Sequence, residues 1–161
     1  MYKLDLAYYI GRDKNPAKRL VTTIIRLATG KYSHVELVFP VELYTENSFS
    51  SSGWDGGVRF KKINYSHPER WKFQRLGEFN AERIAFIYSC AKLYEGKKYA
   101  TFDVIKRFGF GKPANDPDKF WCSEVCLRVL NDCNMFGKKI KETLAPTRMY
   151  NYLSRLLKKE K

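Results

Sequence analysis

Histidine is the scarcest chemically active side chain in this sequence. There are two in 161 residues, His34 and His67. Any nucleophile that needs an imidazole base must use one of them. The four cysteines, Cys90, Cys122, Cys126 and Cys133, are separated by 31, 3 and 6 residues. They contain no C-x2-C pair, and neither histidine lies near them in sequence, which argues against a structural zinc site. Long apolar runs are also missing. No stretch approaches the roughly 20 residues of a membrane span, because Lys, Arg or Asp breaks each candidate. Asp5 sits where the apolar centre of a signal peptide would begin, so export is not expected and cytoplasmic, reduced thiols are. No repeat, low-complexity tract or Pro/Gly/Ser linker divides the chain, and one domain over 1–161 is expected.

Acidic charge is the last shortage. Seventeen Asp and Glu face thirty Lys and Arg, a net charge of +13. The excess is spread along the chain and concentrated at its end, in Arg155, Lys158, Lys159 and Lys161. Such a balance suits an anionic partner, either nucleic acid or a membrane surface, although no nucleic-acid module accompanies the charge. Hydrophobic residues at 44% and aromatics at 16% exclude a disordered chain and permit a full core.

Periodicity divides the sequence in two. Tyr2 to Ile10 reads as a strand. Asn15-Pro16 then reads as an N-cap with proline at the first helical position, and Gly30 ends that helix. Ser33 to Phe39 alternates, with Val35, Leu37 and Phe39 facing a core and His34, Glu36 and Val38 facing away. Leu43 to Ser51, Val58 to Ile63 and Trp71 to Leu76 follow as strands, and their short connections suggest an antiparallel meander. Asn80 caps a helix from Ala81 to about Tyr94. A loop at Gly109–Pro117 leads to a helix opened by Asp118 and running to about Asn131. Pro146 starts a basic last helix, 147–158. The layout is α+β, with a small antiparallel sheet packed against helices.

Cys122 would lie in the first turn of the Asp118 helix, where unpaired backbone N–H groups and the helix dipole favour a thiolate and could hold an oxyanion. Cys126 and Cys133 lie further along and read as packing residues. His34 is the candidate base. His67, in Ser66-His67-Pro68, reads as a solvated turn residue. Glu124 reads as a first-turn carboxylate of its helix.

Four ordered segments carry a resemblance: Tyr32-Ser33-His34-Val35-Glu36-Leu37-Val38-Phe39; Phe49-Ser50-Ser51-Ser52 with Asp55-Gly56-Gly57-Val58-Arg59-Phe60-Lys61; Gly96-Lys97-Lys98-Tyr99; and Phe120-Trp121-Cys122-Ser123-Glu124. Together with Ala145-Pro146-Thr147 they resemble the circularly permuted papain-like branch of the NlpC superfamily. That branch includes YiiX-like bacterial proteins, the lecithin retinol acyltransferase-like group and small bacteriophage proteins. Its mark is the order of the motifs, with the histidine strand before the cysteine helix.

The resemblance implies a permuted papain-like fold and a cysteine hydrolase or acyltransferase working through a thioester. Cys122 would be the nucleophile, His34 the base and then the acid, and Tyr99 a cleft residue. The third member is left open between Ser50, nearest the expected spacing, and Glu36, which shares the face of His34. Glu46 is a further option. Ser51 and Arg59 could border the cleft. The implied substrate is a peptide, another amide or an acyl lipid, and no metal or organic cofactor is required. A phage or bacterial source is implied, with the host cytoplasm as location if phage-encoded. The competing class is a non-enzymatic basic module on the same scaffold, binding nucleic acid or a host protein.

Overall fold

The computed structural model describes residues 1–11, 23, 26, 30–100 and 118–159. Of the expected helix after Asn15-Pro16 only Thr23 and Arg26 are described, both helical, and the loop at 109–117 falls outside the described residues. The elements are β1 (Tyr2–Tyr9), β2 (His34–Val38), β3 (Ser48–Ser52), β4 (Gly57–Lys61), β5 (Trp71–Phe79), α1 (Ala81–Lys92), β6 (Lys98–Tyr99), β7 (Lys119–Phe120), α2 (Cys122–Asp132) and α3 (Pro146–Lys159). Asn80 caps α1 as expected, its side chain accepting from the backbone N–H of Arg83 at 2.9 Å.

Among the described residues the seven strands form one sheet in the order β5-β1-β2-β3-β4-β6-β7. This α+β sheet is larger than the small one expected. It is antiparallel except where β6 and β7 pair in parallel. Only β1 to β4 form a meander. β5 returns to the far side of β1, pairing Tyr9 with Trp71 and Ala7 with Phe73. The expectation of a meander through β5 is therefore corrected. Alternation identifies the longer strands and their faces but neither the two-residue β6 and β7 nor any strand's neighbour, because pairing is a long-range choice.

The apolar face of the sheet carries Leu4, Leu6 and Tyr8 of β1, Val35 and Leu37 of β2, Phe49 of β3 and Phe60 of β4, all buried. Ile84 and Ile87 of α1 and Val125, Cys126 and Val129 of α2 join them in one core. Burying a side chain of this size contributes roughly 1.5–3 kcal/mol. The predicted inward set Val35, Leu37 and Phe39 lies in this core.

Directly opposed residues of antiparallel strands share a face. His34 and Glu36 of β2 therefore share one with Tyr9 and Ala7 of β1, and through them with Trp71 and Phe73 of β5. Ser48 belongs to the same face through Val38. The β4–β5 connection has to pass three strands to reach the far edge. Its Tyr65 marks the route. The Tyr65 hydroxyl meets the Ser48 hydroxyl at 2.6 Å, and its ring packs edge-on against Trp71 and Phe73 at centroid distances of 5.1 and 5.3 Å. The connection thus crosses the face that carries Glu36.

Candidate active site

The β2–β3 ladder is short. Leu37 pairs with Phe49 and Val38 with Ser48. Nearer His34, the Val35 carbonyl accepts from the Ser50 hydroxyl at 2.6 Å. The Cys126 thiol donates to the Phe49 carbonyl at 3.8 Å. The start of α2 meets β2 at this open end of the ladder.

Cys122 is the first residue of α2. The expected start at Asp118 is corrected: Lys119 and Phe120 are drawn into β7, which pairs with β6, and Trp121 takes the N-cap position without a capping side chain. The correction moves Cys122 closer to the free N–H groups of the helix end. The residues after Asp118 extend and pair with β6 instead of continuing the helix backwards.

Cys122 lies close enough to the His34 ring to raise its pKa. The other contact of that ring is known by atom: Nε2 meets Glu36 Oε1 at 2.6 Å. Nδ1 is the ring nitrogen that Glu36 does not engage. The His34 side chain is 23% exposed, while that of Glu36 is 1% exposed. Burial pushes the His34 pKa down, but the Glu36 carboxylate and Cys122 outweigh it and raise it to about 10. A protonated imidazole beside a thiol supplies the positive charge that a thiolate nucleophile needs.

Glu36 is held in turn by Arg59. Nη1 donates to Oε2 at 2.8 Å and Nη2 to Oε1 at 2.7 Å. Burial would raise the Glu36 pKa, but the charge on His34 and the hydrogen bonds from Arg59 and His34 keep it below the usual carboxylate range. Arg59 Nε also donates to Asp55 Oδ2 at 2.9 Å, and Lys61 donates to Asp55 Oδ1 at 2.7 Å. Positive and negative groups therefore alternate from His34 through Glu36, Arg59 and Asp55 to Lys61.

The structure brings Cys122, His34 and Glu36 together. Ser50 is beside them, fully buried, with its proton directed to Val35. Tyr99 faces the same centre: burial and then the charge of Cys122 raise its pKa, and its ring covers Gly53, where an added Cβ would sit 3.1 Å away. Glu46 is exposed in a bend, and His67 is exposed beside Glu69 at 3.3 Å. Ser51 is turned away, donating to the Phe120 carbonyl at 2.6 Å. Cys126 is fully buried, and burial, then the charges of Cys122 and Glu36, push its thiol well up.

Sequence reasoning read Arg59 as a bordering residue and did not connect it to Glu36. The two are joined only once β3 lies between them, with Ser50 opposite Arg59. It also missed Ser33 and Ser123, the neighbours of His34 and Cys122. Both carry buried hydroxyls with no hydrogen-bond partner among the described residues.

No family model and no curated protein matches the chain. Its fold is similar to that of a solved structure described as metalloprotein yiiX from Escherichia coli O157:H7, DUF1105. The TM-score is 0.56 at 20% sequence identity, over 86% of this chain and 68% of that one. The likeness concerns the fold: a mostly antiparallel sheet packed against helices.

Proposed function

We propose that this protein is a cysteine-dependent hydrolase or acyltransferase that cleaves an amide or ester through a thioester. The observation that carries the reading is the placement of Cys122 at the uncapped start of α2, beside an imidazole whose Nε2 is held by a buried carboxylate. A permuted papain-like fold, implied by the order of the motifs, is part of the same reading and is supported by the likeness to yiiX.

Cys122 and His34 share one proton that rests on the imidazole, and the Cys122 thiolate sulfur attacks the carbonyl carbon of the substrate. The carbonyl oxygen becomes an oxyanion near the free N–H groups at the start of α2. The tetrahedral adduct collapses as His34 returns the proton to the departing amine or alcohol, leaving a Cys122 thioester. Water, or another acceptor hydroxyl or amine, then attacks. His34 takes its proton, the acyl group leaves, and the thiol is restored. Glu36 keeps the ring oriented and stabilises its charged form. Tyr99 lies beside Cys122 and borders the cleft. Peptides, other amides and acyl lipids all fit this chemistry.

The yiiX protein is described as a metalloprotein, and the residues of the polar centre around Glu36 in this chain do not fit a metal. Both oxygens of Glu36 are occupied by the guanidinium of Arg59, a fixed positive charge that opposes a cation. Among the described residues, no three His, Cys, Asp or Glu side chains stand close enough together to hold one. No step above involves a metal.

The test is the rate of Cys122 alkylation by iodoacetamide near neutral pH, read by mass spectrometry. Wild type should label readily, and His34→Ala should slow labelling by about a hundredfold or more, the lower end of the usual contribution of a general base of about 10²–10⁴. Equal rates in the two proteins would sink the reading. A second reading, an anion-binding module, draws on the +13 charge and on Arg155, Lys158 and Lys159, exposed on α3. Salt-steep binding of an oligonucleotide, lost when these three are neutralised and indifferent to Cys122→Ala, would favour it. No helix among the described residues is long and apolar enough to cross a membrane.

A further inference from the structure

We propose that Arg59 is a positioning residue of this site, whose two-pronged grip on Glu36 fixes the carboxylate and, through it, the His34 ring. The proposal rests on the cysteine-nucleophile reading above. A carboxylate can turn about its last side-chain bond, and a turned Glu36 would carry Oε1 away from Nε2. The guanidinium prevents this by engaging both oxygens at once, at 2.7 and 2.8 Å. The same oxygen that receives Nη2 also meets His34 Nε2 at 2.6 Å. Any displacement of the Arg59–Glu36 pair is therefore passed to the imidazole.

Three features show that Arg59 is built into this place. Its side chain is only 15% exposed, against 1% for Glu36. It reaches from β4 to β2 across β3, and the residue opposite it on β3 is the small Ser50, whose hydroxyl is turned to the Val35 carbonyl. Its own orientation is set from behind by Asp55, through Nε, and Asp55 is itself held by Lys61. Burial of an arginine is costly, and here Glu36 and Asp55 both act to keep it charged. A lysine could supply the charge but not the fork.

The experiment compares Cys122 alkylation rates, as functions of pH, in Arg59→Lys, Arg59→Met, His34→Ala and His34→Ala/Arg59→Lys, each first checked for a cooperative melt. Arg59→Lys keeps the charge and is the variant chosen to fold even where Arg59→Met does not. It should slow labelling roughly fivefold or more, since one ammonium cannot grip both oxygens. In the His34→Ala background the same change should leave the rate where His34→Ala alone puts it, because the effect passes through the imidazole. Arg59→Lys with the wild-type rate and pH profile would overturn the proposal. So would an equal slowing in the His34→Ala background, which would mean general loosening rather than positioning. If His34→Ala itself labels like wild type, the dyad reading fails and this proposal falls with it. If His34→Ala is slow and Arg59→Lys is not, only the role of Arg59 falls.

Discussion

Two arginines on this sheet each sit between two carboxylates. Arg59 on β4 lies between Glu36 and Asp55, and Arg75 on β5 lies between Asp5 and Glu78. The ingredients match, and their surroundings do not. The Arg75 side chain is 43% exposed, and Glu78 is open to solvent. Arg59 is largely enclosed and Glu36 wholly so, behind the connection that carries Tyr65 across the face. Water can replace a lost partner of Arg75, and it cannot readily do so for Glu36. The comparison shows that residue type chooses the pair while the path of the chain sets what the pair is worth. An exposed pair contributes about 0–1 kcal/mol, whereas breaking a buried one costs about 3–5 kcal/mol.

The largest expected effect strikes the enclosed pair. Arg59→Met should lower the free energy of unfolding by about 3–5 kcal/mol, measured by urea denaturation, because it leaves a buried carboxylate without its strongest partner. A loss below about 1 kcal/mol would place Arg59 in the same class as Arg75.

The next effect is on the pH dependence. His34 is raised in the folded protein from 6.5 to about 10. A raised group stabilises fully below its unfolded value, and the contribution drains away as pH rises through the folded one, at about 1.4 kcal/mol per unit of separation. The stability advantage of wild type over His34→Gln should therefore shrink between pH 6.5 and 10. Glu36 has the opposite sign: held low, it stabilises above the ordinary carboxylate value and loses its contribution as pH falls through the folded value. Urea midpoints across the range read both limbs. A constant gap in the alkaline range would mean that His34 titrates alike in the folded and unfolded chains.

A smaller effect separates the two candidates for the third member of the site. Ser50→Ala should cost about 1–3 kcal/mol, the price of a buried Val35 carbonyl left without its donor. Its Cys122 labelling should stay near wild type, whereas Glu36→Gln should slow labelling sharply. Reversed outcomes would make Ser50 the orienting residue. Smallest of all is Arg75→Ala, at about 0.2–1 kcal/mol by urea denaturation and less in high salt. A larger or salt-insensitive loss would show that the exposed pair is not the simple counterpart of the enclosed one.

Much of this was legible along the chain. The alternation from Ser33 to Phe39 places Val35 and Leu37 in the core and His34 and Glu36 together on the other face. Asn80 announces the start of α1, because an N-cap is a local bond between a side chain and an N–H three residues on. The start of α2 was misplaced for the opposite reason. Asp118 has the chemistry of a cap, and only the pairing of Lys98 with Lys119 and Tyr99 with Phe120 shows that the residues after it extend instead.

The sequence by itself determined the first five strands in outline, their inward faces, the nearness of His34 to Glu36 and a cysteine near a helix start. These follow from periods of two and 3.6 and from chemistry within a few residues. The tertiary structure alone decided that β5 lies beside β1, that Tyr65 crosses the polar face, that Cys122 meets His34 and that Arg59 reaches Glu36 over Ser50. Each of these joins residues far apart in the chain, and no local preference records which strand will lie next to which.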